Sequence, residues 1–422
     1  MSGRLRQSGK KIGKYSMKQK AELKRAIGLI PLVLYGLGVT IGAGIYVLVG
    51  ETAARAGYYA PASFLLAAFV MSFSAASFAE FSSRIPQSAG EAAFVEAAFS
   101  RNWLTLLTGG AIILSGIVAA AAISLGCAGY LSLLVEFPDH VLVPMIVCTM
   151  GLMAAWGIRE SVTFAGILTV LEIAGLLGII VAGFGNNPSL LIRIPEAFPP
   201  LDDHTALSAI FSASLIAFFA FVGFDDVINI VEETIDPARI MPWAIGITLA
   251  AVTVLYCLVS IVALDALPLE ELSASRAPIG LMFERLTGFS PIAITLIAIF
   301  ATLNGVVIQI IMASRVAYGL ARKGYLPASV GQVHPVTRTP LVGTALITGA
   351  VLVLAFFVRL DQLAQWTSQI ILSVFLLVNL ALIRVKLRGD PVPREIFQVP
   401  VIVPILGALT CFLLLVAPLF VE

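Results

Sequence analysis

Phe218-Phe219-Ala220-Phe221-Val222-Gly223-Phe224-Asp225-Asp226 is an apolar run that ends in a glycine and two carboxylates. It lies inside a longer apolar stretch, 206 to 231, with Val222 about 16 residues from its start. A carboxylate in the middle of a bilayer costs about 2.5 to 3.5 kcal/mol even on the lenient insertion scale, so it stands there for a functional reason by default. A plain membrane anchor has no use for this pattern. The stretch reads as a helix interrupted within the membrane.

The rest of the chain fits that reading. Its 422 residues are 59% hydrophobic and 12% charged, with mean hydropathy +0.99, where an average soluble chain is about 25% charged. A polytopic, all-α membrane protein follows. The formal net charge of +1 gives no basic excess to recommend nucleic acid as a partner. Cys127, Cys148, Cys257 and Cys411 lie in apolar runs with no C-x-x-C pair, and His140, His204 and His334 fall in separate loops. No disulfide framework, metal site or cofactor is called for.

A span needs about 20 mostly apolar residues. Eleven stretches qualify: 27 to 50, 58 to 83, 103 to 135, 141 to 158, 162 to 185, 206 to 231, 241 to 264, 291 to 321, 340 to 358, 363 to 385 and 398 to 420. The basic stretch 1 to 26 is too long and hydrophilic for the n-region of a signal peptide, and reads as a cytoplasmic tail. With that end inside, 21 of the 26 Lys and Arg fall on inner segments and five on outer ones, as the positive-inside rule requires. The C-terminus is then outside. Trp103, Trp156 and Trp243 fall at inner helix ends, where indole prefers the headgroup level. The outer stretch 269 to 286 can hold short helices over the external mouth. Residues 86 to 101, with Ala92, Phe94, Val95, Ala98 and Phe99, read either as an amphipathic interfacial helix or as a plain connector.

The first span carries a second irregularity, Gly38-Val39-Thr40-Ile41-Gly42-Ala43-Gly44-Ile45. Close helix contact explains Gly38 and Gly42. Gly44 lies on another face, which favours an unwound segment over packing alone. The two irregular spans enter from opposite sides at similar depth, which is what two inverted five-helix units require. Residues 27 to 186 would be the first unit, 205 to 388 the second, and 398 to 420 an eleventh helix outside both. Half-helices that stop at mid-membrane offer amides at one end and carbonyls at the other. Amides of Gly42, Ala43 and Gly44 suit a carboxylate, and carbonyls near Phe219 to Val222 suit an ammonium. A zwitterion satisfies both.

The run 218 to 225, with Glu232-Glu233-Thr234-Ile235-Asp236-Pro237-Ala238-Arg239 and Pro242, resembles the sixth-helix signature of the amino acid, polyamine and organocation (APC) transporter superfamily, especially its cationic-amino-acid-transporter-like branch. Gly42-Ala43-Gly44-Ile45, Gly157-Ile158-Arg159-Glu160-Ser161, Arg315 and Arg322-Lys323-Gly324-Tyr325-Leu326-Pro327 match as well. The resemblance implies a LeuT-type 5+5 inverted repeat with discontinuous helices 1 and 6, alternating access, and amino acid transport across the plasma membrane by a secondary permease. By that likeness the Gly42 to Gly44 amides hold the substrate carboxylate, carbonyls of Phe219, Ala220 and Val222 hold its amino group, and Phe219 forms an aromatic lid. Asn304 on helix 8 lines the side-chain pocket or makes an interhelix hydrogen bond.

Coupling is read from the ionisable groups. Proton-coupled relatives often carry a lysine where this chain has Glu172, near the midplane of helix 5, so the lysine mechanism does not carry over. Desolvation would make Glu172 a proton carrier, with a structural carboxyl as the alternative. Asp225 matches a position that is acidic in many relatives and linked there to proton sensing; a solvated inner vestibule is its competing explanation. Where some relatives have a third-helix glutamate, Ser115 stands here. Helix 8 lacks adjacent Ser or Thr hydroxyls, which disfavours sodium. The expectation is a proton-coupled amino acid symporter, the alternative an amino acid or polyamine exchanger without net ion coupling. An intramembrane enzyme is disfavoured by the lack of an H-E-x-x-H or paired-aspartate signature.

Overall fold

The computed structural model describes residues 25–86, 90–157, 162–200, 202–389 and 396–416. Most of the basic tail and the stretch 158–161 that carries Arg159 and Glu160 lie outside the described residues. In chain order the helices are α1 (Leu29–Ala56), α2 (Ala60–Arg84), α3 (Gly90–Phe99), α4 (Asn102–Leu131), α5 (Asp139–Trp156), α6 (Val162–Asn186), α7 (Leu190–Arg193) and α8 (His204–Phe219). After a 3-10 segment, Asp225–Glu233, come α9 (Pro237–Ala266), α10 (Leu269–Ala274), α11 (Pro278–Thr287), α12 (Ile292–Arg322), α13 (Leu341–Phe357), α14 (Leu360–Arg388) and α15 (Ile402–Val416). The connector 86 to 101 does hold a helix, α3, and the outer stretch 269 to 286 folds into α10 and α11.

Among the described residues, seven helical stretches are long and apolar enough to cross a membrane. Four shorter apolar helices, Leu29–Gly42, His204–Phe219, Leu341–Phe357 and Ile402–Val416, accompany them. Each apolar stretch of the sequence is thus occupied by a helix. The outward faces are apolar: Leu152 is 71% and Phe357 84% exposed, a surface suited to lipid rather than water. Trp103, Trp156 and Trp243 are exposed at helix ends.

Four of the first five spans pack against the span five places later: α1 on α8, α2 on α9, α4 on α12, α5 on α13. α1 sits centrally, touching α6, α8, α9 and α12. Its lead-in is tied to the end of the sixth span by short parallel pairing, with Ile27 N donating to Glu233 O at 3.0 Å and Ile235 N to Ile27 O at 2.9 Å.

The sixth span is broken as its sequence predicts. α8 stops at Phe219, and Ala220, Phe221 and Val222 donate their amides three residues back rather than four, at 3.0 to 3.1 Å. Gly223 then takes φ +117, a conformation open to glycine but costly for other residues. Asp225 Oδ1 accepts from the Gly223 amide at 3.0 Å and holds the turn.

The first span differs from expectation. α1 runs as one helix from Leu29 to Ala56, past Gly42 and Gly44. Its glycines serve close contact on several sides at once. A Cβ on Gly38 would overlap Thr169 Oγ1, one on Gly42 would lie 3.2 Å from Ala301 O, and one on Gly44 2.5 Å from Ala220 Cα. A central helix is packed on every face, and for that reason glycines on different faces do not require unwinding.

Candidate functional site

Two cavities lie in series along the break of the sixth span. The inner one, ≈ 20 Å³, is enclosed by Gly38, Val39, Thr40 and Gly44 of α1, Ala119 and Ile123 of α4, Phe219 and Val222 at the break, and Gly305, Ile308 and Gln309 of α12. That is room for about one water molecule, so the walls are closed together here. The second, ≈ 360 Å³, begins at Val222 and Gln309, which line both, and reaches Lys323 near the end of α12. From 309 to 323 an α-helix rises about 21 Å. The larger cavity is a vestibule at the end of the bundle where α12 terminates.

Of the residues expected to hold a substrate, Gly44, Phe219 and Val222 line the inner cavity. Gly42 does not; it faces the Ala301 carbonyl. Ala220 and Asn304 line neither cavity. The Phe219 carbonyl accepts from the Val222 amide at 3.0 Å and the Ala220 carbonyl from the Tyr256 hydroxyl at 2.9 Å. Two of the three carbonyls expected to be free at the break are therefore engaged. On α12 it is Gln309 rather than Asn304 that presents an amide to both cavities.

Three buried tyrosines, none apparent as site residues in the sequence, stitch α1 into place. The Tyr256 hydroxyl of α9 is also 2.9 Å from Thr40 O. Tyr130 of α4 donates to Tyr46 O at 2.5 Å, and Tyr46 donates to Glu172 O of α6 at 3.1 Å. A tyrosine inside an apolar span is the signal that could have found them, since a buried phenol needs a partner for its hydroxyl.

Glu172 is 2% exposed and lies close enough to Tyr46 and Tyr256 for its charge to act on both, yet it lines neither cavity. Asp225 and Asp226 line the vestibule, with Asn229 Nδ2 donating to Asp226 Oδ1 at 3.3 Å. Ser115 lines it too, and beside it stands a carboxyl that the sequence did not single out, Glu91 of α3. Burial holds the Glu91 carboxyl well above the usual carboxylate range, and the neighbouring charge of Asp225 pushes it the same way. Arg315 and Lys323 face these acids from α12.

A broken apolar helix crossing a central glycine-rich one, with a small cavity at the crossing and a charged vestibule beyond, is the frame on which the comparisons bear. The amino acid permease model matches residues 27–422. The chain belongs to the amino acid permease family. This permease is 31% identical over 420 residues to a branched-chain amino acid permease of Bacillus subtilis (strain 168), covering 93% of this chain and 88% of the relative. It is 29% identical over 419 residues to a methylthioribose transporter of the same organism, covering 92% and 87%. To a vacuolar cationic amino acid transporter of Arabidopsis thaliana it is 31% identical over 385 residues, covering 86% of the permease and 60% of the relative.

Proposed function

We propose that this permease carries amino acids across the plasma membrane by alternating access, driven by protons. The observation that carries the reading is the pair of cavities meeting at Val222 and Gln309, one closed at the break and one open at the Lys323 end. A substrate released from the crossing of α1 with the break would leave through the vestibule. The closed inner cavity corresponds to the site after release, and binding would require α1 to move away from the break. Gly42 to Gly44 are placed to yield, since glycine costs a helix interior up to about 1 kcal/mol relative to alanine. Opening there would free amides for the substrate carboxylate, with Val222 O and Gln309 facing the amino group.

The contacts of four of the first five spans with their counterparts five places on support a 5+5 inverted repeat of eleven spans, and the Lys and Arg distribution supports an N-terminus in the cytoplasm and a C-terminus outside. The inner lining is mostly apolar, with Val39, Ala119, Ile123, Phe219, Val222 and Ile308 beside the neutral Thr40 and Gln309, and has no acid among it. A cationic side chain would be desolvated there without a counter-charge, and an aliphatic neutral amino acid fits better. Uptake of labelled leucine, lysine and putrescine into proteoliposomes, with and without an imposed pH gradient, tests the reading. Accumulation of leucine on the gradient supports it. Saturable exchange indifferent to the gradient would replace it with antiport, and preference for lysine or putrescine would move the substrate class.

A further inference from the structure

Glu91 is the buried carboxyl that the transport reading leaves without work. It is 8% exposed on α3, the short helix that forms one wall of the vestibule; the start of α3 packs on the Asp225–Glu233 segment, where a Cβ on Gly90 would lie 3.7 Å from Asn229 Oδ1, and Glu91 and Asp225, itself 5% exposed, line the same cavity within reach of each other's charge. Two neighbouring carboxyls buried without a counter-charge do not both ionise, and the first proton to bind is shared between them. Among the described residues neither forms an ion pair with a basic side chain. The charges around them are accounted for. Asp226 lies beside them; Arg315 and Lys323 stand on α12, with Lys323 already bound to Glu96 at 2.5 Å. From α14, Arg384 and Arg388 spend their donors on the carbonyls of Ala98 and Ala97. Asp225 also accepts from the Gly223 amide at 3.0 Å, so whatever holds Asp225 holds the break.

We propose that Glu91 and Asp225 hold one proton between them, and that this shared proton latches α3 to the broken sixth span. Its loss leaves two anions in contact, which repel, loosens α3 from the break and widens the vestibule. Glu91 is thereby a proton-coupling residue, supplied from α3 where Ser115 on α4 offers no acid. The inference rests on the transport reading for its purpose and not for its chemistry.

The test therefore uses no substrate. In the purified protein, infrared difference spectra between acid and alkaline pH should show a protonated-carboxyl band that titrates above the range of free carboxyls. It should vanish in Glu91→Gln and in Asp225→Asn and persist in Glu172→Gln. In a Cys148→Ser background, a maleimide should label Ser115→Cys several-fold faster at alkaline than at acid pH. Glu91→Gln, which can still donate to the Asp225 carboxylate, should keep labelling slow at every pH. Glu91→Ala should make it fast at every pH. Should one variant fail to fold, the spectrum of Asp225→Asn decides. A band that survives in Glu91→Gln or Asp225→Asn, or labelling that keeps its pH dependence in both Glu91 variants, overturns the proposal even if uptake assays show transport. Loss of the band and of the pH dependence upholds it even if leucine is the wrong substrate.

Discussion

The hydroxyl of Tyr256 lies 2.9 Å from the carbonyl oxygen of Ala220 and at the same distance from that of Thr40. One phenol from α9 thus bridges α1 and the break of the sixth span. Its single proton is shared between two acceptors, so the junction is held by a contact that can favour either side.

Removing that hydroxyl leaves a buried Ala220 carbonyl without its donor, which costs about 1 to 3 kcal/mol. Tyr256→Phe should fold, melt at a lower temperature and bind substrate more weakly, because the two halves of the site are no longer held in register. Thermal shift with and without substrate reads both effects. An unchanged melting temperature and affinity would show that the bridge is incidental.

Gly44 is the next contact along the same junction. A Cβ there would lie 2.5 Å from the Cα and the O of Ala220, both backbone atoms that cannot swing aside. Gly44→Ala should cost about 1 to 3 kcal/mol through overpacking and abolish substrate binding. Gly246→Ala on α9, where a Cβ meets nothing within 4 Å, is the matched control and should leave melting nearly unchanged. Equal behaviour of the two variants would sink the close-approach account.

These two residues show what was legible beforehand. Hydropathy located the helices, since exclusion of charge over some 20 residues has few other causes. The break of the sixth span was legible because Gly223, Asp225 and Asp226 each violate the rules of a buried apolar helix. Gly42 and Gly44 were not, because a glycine marks an unwound turn and a tight crossing with the same letter, and the crossing shows only through the neighbours on α12 and the break. Tyr256 and Glu91 were invisible for the same reason. Each acts through a contact with a distant element, and Glu91 lay in a connector whose apolar members alone drew notice.

A separate cluster fastens the outer helices. Glu80 of α2 is fully buried, with Arg84 Nε at 2.8 Å, Lys386 Nζ of α14 at 2.7 Å and the Val399 amide at 2.8 Å. Removing one partner of a buried ion pair costs about 3 to 5 kcal/mol because the others remain charged and dry. Glu80→Ala should therefore lower the melting temperature sharply or prevent isolation, whereas the exposed pair of Arg285 and Glu271, 2.8 Å apart, should be worth at most about 1 kcal/mol. Melting of Glu80→Ala beside Glu271→Ala compares them directly, and similar losses would contradict the burial argument.

Glu91 also predicts how stability varies with pH. Its folded carboxyl titrates above its unfolded value of 4.5, so above that value the folded state binds more protons than the unfolded one. The contribution is fully present below 4.5 and is lost as pH rises towards the folded value. Melting of the wild type should fall across that window, and the fall should shrink in Glu91→Gln, which cannot titrate. A slope unaltered by the substitution would place the titrating group elsewhere.

Glu172 is the second titratable candidate for the coupling proton. It occupies the position from which a helix 5 group would carry the coupling proton, but it lines neither cavity and lies instead against the tyrosines that hold α1. A carrier must exchange its proton with water on at least one side, and the vestibule reaches Asp225 and Glu91, not α6. Glu172→Gln keeps the shape of the side chain and removes only its titration. It should retain both substrate exchange and pH-gradient-driven accumulation in proteoliposomes, with a modest change in affinity through Tyr46 and Tyr256. Asp225→Asn, made in parallel, should keep exchange and lose accumulation, because exchange cycles without moving the coupling ion. If Glu172→Gln loses accumulation while Asp225→Asn keeps it, the proton travels through α6 after all. In that case α1 must open a water path beside Tyr46 that the closed junction conceals.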